Sequence, residues 1–150
     1  MLCKIPFEFV SIQDDGVHLV LQAEMNNTPC RLLIDTGASR TVFDQNRIEQ
    51  FVENPEMEEN EQRSTGLGTN EMKSHIIQIE KLEIGDLCLK DYTSVVIDMV
   101  HINQSFELFG LEVIDGVIGG DILLEYKAEI DYRKKELRMR VPKKQLKIKA

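Results

Sequence analysis

Asp35 is the residue in this chain best placed to do chemistry. It closes the apolar run Leu32-Leu33-Ile34 and is followed at once by Thr36-Gly37-Ala38-Ser39. A carboxylate at the end of a hydrophobic strand is costly to desolvate, so its position asks for a use. Gly37 lets backbone, or a second copy of the same loop, come close. One carboxylate alone is a poor hydrolase. Two of them about 3 Å apart cannot both ionise, so one keeps a proton while the other is a base. The base takes a proton from a water held between them, the water attacks a carbonyl, and the acid supports the developing oxyanion.

The second carboxylate should arrive on an equivalent loop. The chain holds no other Asp-Thr-Gly and no Asp-Ser-Gly, and the nearest candidate, Ile114-Asp115-Gly116, lacks the hydroxyl residue. A second Asp35 from a second copy of the chain supplies it, with a two-fold axis passing between the two. A monomer would then be inactive.

The run from Leu32 to Ser39 resembles the apolar-apolar-Asp-Thr-Gly-Ala-Ser motif of the retroviral and retroviral-like (retropepsin) aspartic proteases. About 80 residues later, Val117-Ile118-Gly119-Gly120-Asp121-Ile122-Leu123 is similar to the family's apolar-apolar-Gly segment, which leads into its C-terminal helix. The paired-carboxylate chemistry above is the established mechanism of that family. The resemblance implies that Asp35 is the catalytic aspartate and that Thr36 hydrogen-bonds across a homodimer. Gly37 leaves its carbonyl free for substrate backbone, and Ala38 and Ser39 continue the loop. Gly66, Leu67, Gly68 and Thr69, within Gly66 to Met72, would form the flap that closes over substrate. Val117, Ile118 and Gly119 would pack beneath the catalytic loop and shape a pocket. The resemblance also implies a peptide or unfolded-protein substrate bound as an extended strand. No cofactor and no metal are implied.

Most of the sequence has to be strand to position this loop. Lys4 to Val10 is a short β run. Leu19, Leu21, Ala23 and Met25 alternate with polar residues, Asn26-Asn27-Thr28-Pro29 turns the chain, and Cys30 to Ile34 returns. Thr41 to Val52 is predicted helical, with Ile48, Phe51 and Val52 on one face. Ile76 to Ile84 and Leu87 to Met99 form a hairpin around Gly85-Asp86. A shift in apolar phase between Ile77/Ile79 and Leu82/Ile84 predicts a bulge. His101 to Phe109 reads as an irregular connection, and a short helix follows Asp121. Ala128 to Tyr132 and Leu137 to Val141 pair across a charged turn. The expected fold is all-β: a small closed or partly open retropepsin-like barrel with hairpins and one or two short helices.

The 150 residues suit a single domain, with a core from about 4 to 141 and a basic tail, 142–150. The net charge of −8 argues against nucleic acid. Acidic residues concentrate in an insert from Glu53 to Arg63, and the Lys-rich terminus is expected to be solvated. Cys3, Cys30 and Cys88 give neither a disulfide framework nor a metal site, and a reducing compartment fits them. With no spanning segment and no apolar leader, the expectation is a cytoplasmic protein off the membrane, or a periplasmic or secreted one if a targeting segment was removed.

Other residues carry blander readings. Asp121 is expected to be a helix N-cap, Asp115-Gly116 a turn, and Arg40 structural or solvent-facing, although it could meet an acidic substrate. His18, His75 and His101 share no ligand spacing. Gly66-Leu67-Gly68 is not a nucleotide loop, because no Gly-Lys-Ser/Thr follows it. The alternative to an aspartic endopeptidase is a non-catalytic peptide-binding or regulatory module on the same fold. A phosphate-accepting Asp35 would need an alternating βα pattern that the chain lacks.

Overall fold

Two asparagines set the first hairpin. The structure, a computed structural model, describes residues 1–12, 16–53, 58–59 and 74–147. Strand β1 spans Leu2–Val10, β2 His18–Met25 and β3 Thr28–Ile34. Between β2 and β3, Asn26 and Asn27 take φ of 51° and 68°, the left-handed pair that a two-residue hairpin turn requires. Short β4 (Val42–Asp44) and β5 (Glu58–Glu59) precede the long hairpin of β6 (His75–Ile84) and β7 (Leu87–Ile97). Helix α1 (Val100–Leu108) leads to β8 (Gly116–Ile118), then α2 (Gly120–Glu125), β9 (Glu129–Asp131) and β10 (Glu136–Arg140).

Six strands close a barrel in the order β2, β3, β8, β4, β7, β6, and β6 returns to β2 through Glu24↔Glu83 and Met25↔Leu82. Asn26 reinforces that seam: its backbone N–H donates to the Lys81 carbonyl at 2.8 Å, and its side-chain oxygen accepts from Lys81 N–H at 3.0 Å. The barrel interior is filled by aliphatic side chains, among them Leu32, Ile34, Ile79, Leu82 and Ile118, with Phe43 at 0 % exposure. Beside it, β1 pairs with β10 and β10 with β9. A second apolar cluster, with Val10, Val20, Met99, Phe106, Ile114 and Val117, lies apart from the first.

Several expectations need correction. Thr41 to Val52 is not a helix: it holds β4 and a single 3₁₀ turn at Ile48–Gln50. β4 pairs in parallel with β7 and antiparallel with β8, so it fills the gap that would otherwise leave the barrel open. One turn, with Phe51 N–H donating to the Ile48 carbonyl, satisfies the apolar spacing read as helical. The irregular connection from His101 to Phe109 is instead mostly α1. The β6–β7 register runs from His75↔Val96 to Ile84↔Leu87 with no inserted residue, so there is no bulge. Between the two apolar phases the ladder skips Glu80 and Asp91, where Asp91 takes φ of 50°, and beyond that break β6 also meets β2 at Leu82 and Glu83. Asp115-Gly116 is not a turn, since Gly116 opens β8 against Phe43.

The basic terminus is not wholly solvated either. Lys147 N–H donates to the Asp86 carbonyl at 2.7 Å, and its ammonium pairs with Glu83 at 2.9 Å. Glu83 is 3 % exposed and also pairs with Lys81 at 3.2 Å. Burial pushes its carboxyl up, but the Lys147 and Lys81 ammonium groups outweigh burial and hold it below the usual range. All three cysteines are buried and free, and burial pushes the Cys30 thiol up to about 12.

Candidate active site

β3 delivers Asp35 to the end of the barrel. Its backbone N–H donates to the Ile118 carbonyl at 3.0 Å, which extends the parallel β3–β8 pairing by one residue. The chain then turns, with Ala38 N–H donating to the Asp35 carbonyl at 3.2 Å. Gly37 N–H donates to Asp35 Oδ1 at 2.9 Å, which fixes the carboxylate on its own loop. Among the described residues Oδ2 receives no hydrogen bond. Asp35 and Ala38 are half-buried, while Thr36, Gly37 and Ser39 are exposed. Among the described residues the carboxylate is therefore held through one oxygen only.

Helix α2 locks the loop from beneath. Gly120 N–H donates to the Ala38 carbonyl at 2.7 Å, and Asp121 N–H to the Ser39 carbonyl at 3.2 Å. Asp121 is not the N-cap, which is Gly119. Its Oδ1 instead accepts from Thr41 N–H at 2.9 Å and from the Thr41 hydroxyl at 2.8 Å. That hydroxyl in turn accepts from Gly119 N–H at 3.1 Å. The approach is so close that a Cβ at Gly119 would lie 2.5 Å from the Arg40 carbonyl. Only glycine fits there.

Of the segment predicted to sit under the loop, Val117, Ile118 and Gly119 are all buried. Ile118 faces the barrel interior, and Val117 belongs to the second cluster, together with half-buried Leu33, Ala38 and Val42. Gly66, Leu67, Gly68 and Thr69 lie outside the described residues, as does most of the acidic insert. The sequence reading missed Thr41 and misassigned Asp121. A Thr six residues after Asp35 and an Asp directly after Gly-Gly were the available signal.

A separate polar network sits at the far end of β4. Asp44 Oδ1 accepts from Asn46 N–H at 3.1 Å, Asn46 Nδ2 at 2.9 Å and Met99 N–H at 3.2 Å, and Oδ2 accepts from Asn103 Nδ2 at 3.0 Å. Asn103 also bonds both backbone groups of Ile114. Asp115 accepts from Arg31 N–H at 2.8 Å and Arg47 Nε at 2.6 Å. This network bolts α1, β4 and β8 together. Among the described residues no group of His, Cys, Asp and Glu is set to hold a metal ion.

The family model described as aspartyl protease matches residues 21–122, a span that holds the Asp35 loop and the start of α2. The chain belongs to that family. Its fold is retropepsin-like, as three solved structures indicate. A retropepsin-like aspartic protease from Rickettsia conorii is 20% identical, with a TM-score of 0.57 over 93% of this chain and 91% of that one. EIAV protease complexed with the inhibitor HBY-793 is 17% identical, with a TM-score of 0.54 over 77% and 93%. The retroviral protease-like domain of Ddi1 from Leishmania major is 14% identical, with a TM-score of 0.53 over 89% and 94%. No curated protein matches the chain by sequence. Among the described residues no helix is long and apolar enough to cross a membrane.

Proposed function

We propose that this chain is an aspartic endopeptidase that works as a homodimer, each copy giving one Asp35 to a water-activating pair. The observation that carries the reading is the Asp35 carboxylate itself: one oxygen fixed by Gly37 N–H, the other unbonded among the described residues, on a loop whose tip is exposed. One copy holds a single Asp-Thr-Gly, so the second acid comes from a second chain. Two such loops meeting at a two-fold axis place a water between the carboxylates. One carboxylate takes its proton as the water attacks a peptide carbonyl, and the protonated partner hydrogen-bonds the oxyanion. The exposed Thr36 hydroxyl stiffens the pair of loops across the axis, and Gly37, Ala38 and Ser39 present backbone to an extended peptide. Helix α2 serves by keeping the loop from yielding when the like charges approach.

The test compares wild type with Asp35→Asn on a mixture of unstructured peptides, with fragments read by mass. Wild type should cut, Asp35→Asn should not, and a peptide mimic with a central hydroxyl should inhibit wild type. Equal cleavage by the Asn variant overturns the assignment. A wild type that binds the mimic but never cuts points to the non-catalytic module.

A further inference from the structure

Alternation along β3 puts Leu32 and Ile34 in the barrel interior, so Leu33 and then Asp35 fall on the opposite face. Leu33 pairs with Val20 on β2 and with Val117 on β8, and Val117 pairs with Val42 on β4. These four residues make one apolar row across four strands, one pleat from Asp35. Helix α1 lies on that row. Phe106 and Met99 are buried in one cluster with Val20 and Val117, while Leu33, Ala38 and Val42 stay half-buried. The helix cannot easily roll away, because Asn103, one turn before Phe106, is tied to Asp44 and to both backbone groups of Ile114.

Resting on the endopeptidase reading, we propose that Phe106 of α1 is a specificity-determining residue. It fills the deep part of the apolar recess beside Asp35 and leaves a shallow shelf of Leu33, Ala38 and Val42. A substrate side chain laid on that shelf next to the scissile bond has room for a small aliphatic group and none for an aromatic ring. Truncating Phe106 opens the depth that an aromatic side chain needs.

The experiment uses matched peptides with Ala, Val, Leu or Phe beside the scissile bond, cut by wild type, Phe106→Leu, Phe106→Ala and Leu108→Ala. Leu108 is 78 % exposed and serves as the control. The ratio of kcat/KM for Phe over Val should rise about tenfold in Phe106→Ala and less in Phe106→Leu, a size typical of pocket-volume changes. It should not move in Leu108→Ala. Should Phe106→Ala fail to fold, Phe106→Leu carries the test. The same peptides with a reduced, uncleavable bond are also titrated onto Asp35→Asn with and without the Phe106 change. Cleavage with an unchanged ratio overturns the role of Phe106 and leaves the endopeptidase intact. No cleavage, but a shifted binding preference, supports the recess and overturns the endopeptidase. No cleavage and no shift overturns both.

Discussion

Asp35 and Asp44 are both carboxylates at strand ends, and they are treated in opposite ways. Asp44 is 2 % exposed and accepts from Asn46, Met99 and Asn103 through both oxygens. Asp35 is half-buried and, among the described residues, accepts from Gly37 through one. A buried charge must be saturated with donors, or it costs several kcal/mol. Asp44 meets that demand inside the chain and is structural. Among the described residues Asp35 has part of that demand unmet, so a water, a peptide or a second Asp35 loop can meet it. Among acidic residues, the incomplete set of partners points to function, and the complete set points to architecture.

The contrast fails if the two asparagine variants behave alike. Asp35→Asn should lower peptide cleavage by about 10³-fold or more, the size expected when a general acid–base is removed. Its urea midpoint should match wild type, because Gly37 N–H still finds an acceptor. Asp44→Asn should instead lose about 2–4 kcal/mol of stability by urea unfolding, since an amide NH₂ would be pushed among donors. Gly119→Ala tests the link between loop and helix. Its Cβ meets Arg40 backbone, so about 2–3 kcal/mol of stability should go. Cleavage should fall further than stability explains, as Asp35 is displaced with the loop.

The smallest effect belongs to Glu83, a buried carboxylate that is satisfied by charge rather than by amides. Lys147→Ala should lower the urea midpoint by less than either Asp44→Asn or Gly119→Ala, because Lys81 remains and Lys147 is 43 % exposed. The folded chain holds the Glu83 carboxyl below the usual range. Its contribution is therefore fully present above the unfolded value of about 4.3 and is lost as pH falls through the lower folded value. The gap between wild type and Lys147→Ala should be full at neutral pH and shrink below about pH 4, read by urea melts across pH.

Hairpins were legible in the sequence because their turns are local: Asn26-Asn27 and Gly85-Asp86 carry the chemistry of the bend. The Asp35 loop was legible because an acid after three aliphatics is unusual in any context. β4 was not, since three residues become a strand only through β7 and β8, which arrive later in the chain. Helix α1 hid its pattern by burying Asn103 beside Phe106 while exposing Ile102 and Leu108. Asp121 was read by its local helix position, whereas its partner Thr41 lies 80 residues away. Each miss is a contact made at long range by a residue that looks ordinary at short range.

The pairing of β1 with β10 places the first and last strands side by side within one chain, and Met1 N–H donates to the Val141 carbonyl at 2.9 Å. In the homodimer proposed above, neither copy would need a strand from its partner to complete this sheet, so folding would not depend on association. On dilution, the two properties should part company. Turnover per chain should fall off as dimers separate, while the melting temperature stays where it was.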